Sequence, residues 1–321
     1  MQAKKRWQPP RFFVARIHPI SSKNDPDTIF MLTILFDGIA YGMLLFILAV
    51  GLAVTMGLMN FVNLAHGAFA MVGGYVTVLL MQRLDVPFLL CLPIAFVTSA
   101  LLGAVLERTL YRPLYKRPHL DQVMFSIGLT FMAVAAVDYF VGSTQQIMQL
   151  PEWLKGRTEI GEGAWMLGMG HYRLFIIAVC AALTIALQHI LTKTRFGSRL
   201  RASVDDQRVA AGLGINVNVV FLATFAVGSG LAGLGGALGA DVLGMDPTFP
   251  LKFMIYFLIV VAVGGTSSIT GPLLAALLLG IADVAGKYYI PKLGAFIVYS
   301  LMIIILVWRP QGLFVRKGGK A

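Results

Sequence analysis

Two glycine-rich stretches interrupt the apolar sequence in corresponding places. Residues 57–74 read GLMNFVNLAHGAFAMVGG, and residues 264–280 read GGTSSITGPLLAALLLG. Both adjoin long hydrophobic runs of the kind that cross a membrane. Because lipid offers the backbone no hydrogen-bond partners, irregular backbone at membrane depth persists only where protein or a wet cavity surrounds it. The two breaks therefore predict a solute path, or the structures that brace one.

The composition is that of an integral membrane protein. Of the 321 residues, 58% are hydrophobic and 13% are charged, and the mean hydropathy is +0.79; soluble domains carry about 25% charged residues. Apolar runs lie near 32–56, 67–82, 86–106, 122–142, 172–192, 217–240, 251–264, 272–285 and 293–308. The sequence therefore predicts an all-α polytopic helical bundle with eight or nine membrane segments. The short runs 67–82, 251–264 and 272–285 are expected to be broken half-helices or tilted pieces.

The net charge of +11 is concentrated in loops between apolar runs, which argues against a nucleic-acid-binding surface. Three loops are basic, and their Lys and Arg residues are Arg108, Arg112, Lys116 and Arg117; Lys193, Arg195, Arg199, Arg201 and Arg208; and Arg309, Arg316, Lys317 and Lys320. The positive-inside rule places all three loops in the cytoplasm. The loop 143–171, with three Glu residues, is expected on the opposite side.

Residues 1–30 form a basic extension that conflicts with this topology. Counting back from the basic loop at 108–117 places residue 30 outside, yet the extension holds six Lys and Arg against two Asp. Either the break at 57–67 is re-entrant, which puts the N-terminus inside, or the extension is disordered or an upstream mis-start and Met31 begins the working protein. We favour the second interpretation, because the extension has no apolar run long enough to span or to act as a signal peptide.

The first break carries polar side chains at intervals of three: Asn60, Asn63 and His66. This spacing predicts that they share one side of a helical turn. Because polar groups are costly in lipid, they should face protein or water. They either cap a half-helix and tie loose backbone groups together, or contact a passing solute. Gly67 allows close approach of another helix.

The second break follows the same logic. Gly264 and Gly265 end an apolar run, and Thr266 and Ser267 offer hydroxyl groups. Gly271 then precedes a proline, which the first turn of a helix tolerates well. These residues are our remaining candidates for lining or bracing the path.

The other reactive side chains do not indicate an enzyme. Cys91 and Cys180 lie in apolar runs without metal-ligand spacing. The sequence lacks the phosphate-loop, G-x-S-x-G and H-E-x-x-H motifs, so a partner would have to supply any ATP hydrolysis. Asp37, Asp138 and Asp283 lie in or near apolar runs, which leaves proton or ion coupling as an alternative. Asp37 and Asp138 are expected near solvated segment ends.

The loop 193–217 alternates charged and apolar residues at roughly helical intervals, which predicts a short amphipathic helix. Asp205 and Asp206 are spaced for ion pairs with Arg201 and Arg208. On periodicity alone this would be a solvated surface helix.

Four stretches together carry a resemblance to a known family. They read GLMNFVNLAHGAFAMVGGY, ERTLYRPLYKRP, TRFGSRLRASVDDQRVAAGLGIN and VVAVGGTSSITGPLLAALLLGIAD. In this order and spacing they resemble the permease subunits of branched-chain amino acid ABC importers, specifically the shorter of the two paired permeases. The similarity covers about residues 32–315. It divides the chain into the extension 1–30, a permease domain over 31–315 and a cytoplasmic tail over 316–321. Thr266-Ser267-Ser268 departs from the usual glycine-containing sequence, which bears on solute preference.

The resemblance implies a multi-pass subunit of the bacterial inner membrane that moves branched-chain amino acids inward; related importers carry urea, amides or aromatic acids. The implied partners are a homologous second permease, two cytoplasmic ATPases that use ATP and Mg, and a periplasmic solute-binding protein. The chain itself would bind no cofactor or metal. Its charged loop would be the coupling helix that docks on the ATPase, through Arg199, Arg201, Ala202, Asp206, Ala210, Gly214 and Ile215. An ion-coupled secondary transporter and a passive channel remain the alternatives.

Overall fold

The computed structural model describes residues 26–59, 61–160, 167–265, 268–309 and 312–313. This part of the chain contains eleven α-helices: α1 Pro26–Met59, α2 His66–Leu84, α3 Phe88–Leu106, α4 His119–Val141, α5 His171–Lys193, α6 Arg195–Asp205, α7 Gln207–Gly212, α8 Val217–Leu243, α9 Phe249–Gly264, α10 Thr270–Tyr289 and α11 Gly294–Trp308. A π-helical turn, Glu107–Tyr111, and a 3-10 turn, Arg112–Lys116, continue α3. An antiparallel hairpin pairs β1, Arg157–Ile160, with β2, Leu167–Gly170.

Seven of the described helices are long and apolar enough to cross a membrane: α1, α2, α3, α4, α5, α8 and α10. With the shorter apolar helices α9 and α11, nine membrane segments result, and the all-α polytopic prediction is confirmed. α2 and α10 have 19 and 20 residues, so each is long enough to cross a membrane, as the half-helices or tilted pieces expected for 67–82 and 272–285 need not be. α9, with 16 residues, is short as expected.

α1 lies at the centre of the bundle. It packs against α5, α8, α9 and α10, and 83% of the residues in its most apolar window are buried inside the protein. This helix is apolar on every side, which is the pattern of a helix surrounded by protein. α4 is also apolar, yet only 11% of its corresponding window is buried. The outer face of α4 is therefore available to lipid or to another membrane subunit.

Small residues let α8 approach α2 closely. A Cβ atom added to Gly73 would overlap the Gly233 backbone, and one added to Gly236 would overlap the Ala70 carbonyl oxygen. The two helix backbones therefore touch directly, as small residues allow in membrane bundles. This contact fixes how α2 crosses the centre of the bundle.

The described parts of the three basic loops, which for the last loop are Arg309 and residues 312–313, lie at one end of the bundle. Ser268 and Thr270 line a groove with Leu191 and Arg201, which places the second break beside the loop after α5. The Leu313 amide donates to the Val263 carbonyl oxygen over 2.8 Å, so the C-terminal residues reach the same end. The ring of Tyr115, in the basic loop 108–117, packs 6.0 Å from that of Phe221 near the start of α8. The charge pattern and the fold thus agree on a single basic end.

α1 begins at the opposite end. Asp37, near its start, pairs with Arg173 at the start of α5, whose other end leads into the basic loop after Lys193. The chain does return into the bundle after α1, but α2 then continues to the far end. The interpretation that a re-entrant break brings the start of α1 to the basic side is therefore wrong. Residues 1–25 lie outside the described residues, so the disorder and start-site predictions stay predictions.

Candidate functional site

The first break is irregular backbone within the bundle. The chain leaves α1 at Met59, residues 61–65 are not helical, and α2 begins at His66. His66 is 2% exposed, and its Nε2 atom lies 2.9 Å from the carbonyl oxygen of Leu48. Leu48 precedes the last residue of α1 by about three helical turns. α2 therefore starts beside the middle of α1, at the depth where unpaired backbone groups are most costly.

Side chains from α4 satisfy the amides of this segment. The Val62 N–H donates to Oε1 of Gln122 over 3.2 Å, and the Leu64 N–H donates to Oγ of Ser126 over 3.1 Å. Gln122 and Ser126 are buried and lie on one face of α4 at i and i+4. Sequence reasoning missed both residues. Polar side chains inside the apolar run 122–142 were the available signal.

Asn63 also stabilises the irregular segment 61–65. It is 1% exposed, and its Oδ1 atom accepts hydrogen bonds from the Ala65 amide over 3.1 Å and the Tyr111 hydroxyl over 3.0 Å. Tyr111, also missed by sequence reasoning, is fully buried on the π-helical turn and packs edge-on against Phe61. In this conformation Asn63 therefore holds backbone together.

The predicted helical turn through the three polar residues is wrong where the structure describes it. Residues 61–65 are not helical, so Asn63 and His66 do not share a helical face. Asn60 lies outside the described residues. The Gly67 prediction of close approach agrees with the packing, since a Cβ atom there would lie 3.0 Å from Cα of Pro250 at the start of α9.

The second break is a tight turn at the basic end. Gly264 ends α9 against Pro272, where a Cβ atom would overlap the backbone, and Gly265 has a φ of 79°, which favours glycine. The Gly271 amide donates to Oγ of Ser268 over 3.3 Å. Thr266 and Ser267 lie outside the described residues.

Among the described residues, α9 links the two breaks. The ring of Phe257 packs 6.3 Å from that of His66, about two helical turns before the end of α9. Asn63, His66 and Gly67 thus form one cluster inside the bundle, and Gly264, Gly265 and Gly271 form another at its basic end.

The charged loop folds as two short helices where one was predicted. Oγ1 of Thr194 accepts the Gly197 amide at the start of α6. Oδ1 of Asp206 accepts the amides of Arg208 and Val209, over 2.8 and 3.0 Å, and so caps the start of α7. Asp206 is therefore engaged by backbone, and the ion pairs predicted for this loop do not form among the described residues.

The two loop helices present one face to the bundle and one outward. Leu200 on α6 and Ala210 on α7 are each 1% exposed, whereas Val209 and Leu213 are 59% and 75% exposed. Ala210 therefore faces the chain itself and offers no outer contact. The other candidates divide as follows: Arg199, Arg201, Asp206 and Gly214 are exposed, and Ala202 and Ile215 are partly buried.

The acidic residues of the membrane segments lie toward the other end. Asp283 is 1% exposed and its carboxylate lies 2.5 Å from the Lys287 ammonium group. Asp37 pairs with Arg173, and Asp138 is exposed near the end of α4. Among the described residues, no group of three or more His, Cys, Asp and Glu could hold a metal ion.

Comparison with known proteins identifies the family to which this sequence is similar. Residues 34–306 match the family model described as branched-chain amino acid transport system / permease component. The chain is 30% identical, over 308 residues, to the high-affinity branched-chain amino acid transport system permease protein BraD of Pseudomonas aeruginosa, covering 91% of this chain and 98% of that protein. It is 26% identical over 299 residues to the permease protein LivH of Escherichia coli, with 90% and 96% covered.

The chain also matches the LivM permease protein of Escherichia coli, at 26% identity over 294 residues, with 84% of this chain and 68% of that protein covered. The chain is thus similar to both the LivH and the LivM permease protein of this organism. No solved structure matches the chain. The chain belongs to the family of branched-chain amino acid transport system permease components, and it is of the LivH type.

Proposed function

We propose that this chain is the LivH-type permease subunit of a binding-protein-dependent ABC importer in the bacterial inner membrane. It moves branched-chain amino acids, or related small polar solutes, inward. The observation that carries the proposal is the family match over residues 34–306, which includes seven membrane segments completely and most of α1 and α11. The basic end of the bundle is cytoplasmic by the positive-inside rule.

The partners follow from the same reasoning. The chain matches both LivH and LivM of one organism, which supports a heterodimer with a homologous permease. The sequence lacks a phosphate loop, so two ATPases supply ATP hydrolysis with Mg. A periplasmic solute-binding protein delivers the solute at the end opposite the basic loops.

α6 and α7 are suited to carry force from the ATPase. Their exposed residues Arg199 and Asp206 contribute charge to the outer face, the exposed Arg201 donates a hydrogen bond to the Leu191 carbonyl oxygen of α5, and Leu200 and Ala210 are buried against the bundle. α6 packs against α1, α5 and α8. A displacement of the outer face would therefore pass directly to the central helices.

Transport then occurs by alternating access, in which nucleotide binds the two conformations of the complex with different affinity. Asn63, His66 and Gly67 brace the irregular segment beside the path. Gly264, Gly265 and Gly271 lie where α9 meets α10 and the loop helices. Asn60, Thr266 and Ser267 lie outside the described residues and stay candidates from the sequence alone.

Reconstitution of the complex in liposomes tests the function. Labelled L-leucine uptake should require ATP, the ATPases and the binding protein, and should be insensitive to an uncoupler. Uptake by this chain alone, abolished by an uncoupler, would overturn the proposal in favour of an ion-coupled transporter. His66→Ala and Asn63→Ala should lower the uptake rate of the assembled complex, and unchanged kinetics would remove these residues from the path.

A further inference from the structure

A cavity of about 380 Å³ opens between α1, α5, α9 and α10, toward the end opposite the basic loops. Tyr41 of α1, Arg173 of α5, Tyr256 of α9 and Asp283 of α10 contribute to its lining. Its volume falls in the range of about 300–1,000 Å³ that small-molecule sites occupy. None of the residues discussed for the two breaks lines this cavity.

The lining carries charges of both signs in near balance. Two carboxylates and three cationic groups face the cavity: Asp37, Asp283, Arg173, Lys252 and Lys287. The charge of Lys252 is balanced by Asp246, which lies outside the lining; its Oδ2 atom is 2.5 Å from Nζ of Lys252. A nearly neutral site with separate positive and negative groups suits a zwitterion better than a simple anion or cation, because each of the solute's charges finds an opposite charge.

The pair of Asp283 and Lys287 has unused hydrogen-bonding capacity. Oδ2 of Asp283 lies 2.5 Å from Nζ of Lys287, while Oδ1 accepts a long, 3.4 Å hydrogen bond from the Tyr256 hydroxyl. An ammonium group has three donors and a carboxylate about four acceptor positions, so each can bind a further partner. The two groups are adjacent, as are the ammonium and carboxylate of an α-amino acid.

The remaining wall of the cavity is apolar. Leu44, Ile176, Val242, Phe253 and Val284 line it beside the charged groups. Such a surface favours a solute with an aliphatic side chain over one with a polar or charged side chain, since apolar surface is removed from water on binding.

A second cavity adjoins the first on the side of the loop between α4 and α5. It has a volume of about 650 Å³, it is lined by Leu154, Lys155 and Gly168 of the loop between α4 and α5, and it shares Asp37 and Arg173 with the first cavity. The Asp37–Arg173 ion pair therefore lies where the two cavities adjoin.

We propose that the first cavity binds a zwitterionic amino acid with a branched aliphatic side chain. The ammonium group contacts Asp283, the carboxylate contacts Lys287, and the side chain packs on Leu44, Ile176 and Val284. This inference rests on the proposed function, and adds to it a solute site built within this one subunit.

Equilibrium binding of labelled L-leucine to the purified complex, without the binding protein, tests the site. Lys287→Gln should weaken binding by about tenfold or more, the effect of losing one charge-assisted hydrogen bond. Lys292→Gln, which removes an exposed lysine at the same end of α10 outside the cavity, should leave binding unchanged. Isopentylamine and 4-methylpentanoate, which each lack one of the two charges, should compete at least about tenfold more weakly than unlabelled leucine.

A thiol reporter gives a second measurement. Cys91 and Cys180 are both fully buried, so Val284→Cys would provide the reactive thiol, and L-leucine should slow its modification by a maleimide. Saturable binding that Lys287→Gln does not weaken, or modification at the same rate with and without leucine, would overturn the site. If the Val284→Cys protein fails to assemble, the binding measurement on the wild-type complex decides.

ATP-driven uptake of leucine without binding in this cavity refutes the site alone, whereas absence of any ATP-driven uptake refutes the proposed function.

Discussion

Gln122 joins three stretches of chain with one side chain. Its Oε1 atom accepts the Val62 amide, and its Nε2 group donates to the carbonyl oxygens of Leu114 and Arg117 over 3.3 and 3.1 Å. The side chain is 2% exposed. Its removal would leave the Val62 amide and the Arg117 carbonyl oxygen without the partners that Gln122 supplies, at a cost that includes their desolvation, whereas the Leu114 carbonyl oxygen keeps its hydrogen bond from the Arg117 amide.

Gln122→Ala should therefore lower the free energy of unfolding by about 1–3 kcal/mol. Thermal unfolding of the purified protein in detergent measures this loss. Gln149→Ala is the matched control, because Gln149 is exposed, and it should change stability by less than about 0.5 kcal/mol. Equal effects of the two substitutions would contradict the bracing role of Gln122.

Asp246, between α8 and α9, makes stability depend on pH. Burial alone would raise the pKa of its carboxyl group, but hydrogen bonds from Lys252 and Thr248, with the Lys252 charge, hold that pKa below its usual value. A depressed carboxyl pKa stabilises the folded state above the unfolded pKa of about 3.9, and this contribution is lost as pH falls through the folded value.

Asp246→Asn should consequently be less stable than the wild type at pH 6, with the difference shrinking as pH falls below about 4. Melting temperatures measured from pH 3 to pH 7 test this expectation. Asp205→Asn controls for the loss of one negative charge at an exposed position. A stability difference that stayed constant across this range would show that Asp246 does not act through its ionisation.

At the scale of elements, the break between α6 and α7 shows what a local pattern can and cannot predict. The periodicity of residues 193–217 correctly indicated helix with one outward face. It did not indicate the break, because an Asp side chain can either point to solvent within a continuous helix or cap the start of a new one, and only the backbone geometry decides between them. The inward orientation of Ala210 likewise depends on packing against α8 and could not be derived from spacing.

Two substitutions at Asp206 distinguish its role as a helix cap from the role of its negative charge. Asp206→Asn keeps the capping oxygen and removes the charge, whereas Asp206→Ala removes both and should cost α7 about 0.5–2 kcal/mol of local stability. We expect amide hydrogen exchange at Arg208 and Val209 to increase in the Ala variant and to change little in the Asn variant. If both variants exchange like the wild type, the cap does not stabilise α7. If Asp206→Asn retains uptake and Asp206→Ala loses it, coupling to the ATPase depends on the folded α7 helix and not on the charge of Asp206.

The contact between α2 and α8 yields a paired glycine test. Gly73→Ala would force a Cβ atom into the Gly233 backbone, while at Gly128, on the outer face of α4, a Cβ atom meets nothing within 4 Å. We expect Gly73→Ala to destabilise the protein by about 1–3 kcal/mol through overpacking. Gly128→Ala should be neutral or stabilising by up to about 1 kcal/mol, because alanine favours helix. Similar melting temperatures for both variants would argue against direct contact of the two helix backbones.

At the scale of the whole molecule, hydropathy predicted the membrane segments but not their arrangement. α1 and α4 have similar mean hydropathies of 2.3 and 1.8, yet one is central and the other peripheral. Apolar residues suit lipid and protein surroundings equally, so the sequence does not distinguish the two positions. The same limit applies to the first break, where the partners Gln122 and Ser126 lie about sixty residues away from the backbone they satisfy.

The direction of α1 provides the sharpest test of the whole arrangement. Both native cysteines are fully buried, so single cysteines introduced at exposed positions would report their own side of the membrane. Glu152→Cys, in the loop after α4, and Met31→Cys, at the start of α1, should react with an impermeant maleimide added outside the cell. Ser198→Cys, on α6, should react only after the membrane is opened. If Met31→Cys reacted from the same side as Ser198→Cys, the number of crossings before the basic loop 108–117 would be even, as a re-entrant segment would make it. The nine-segment topology, which has three crossings there, would then be wrong.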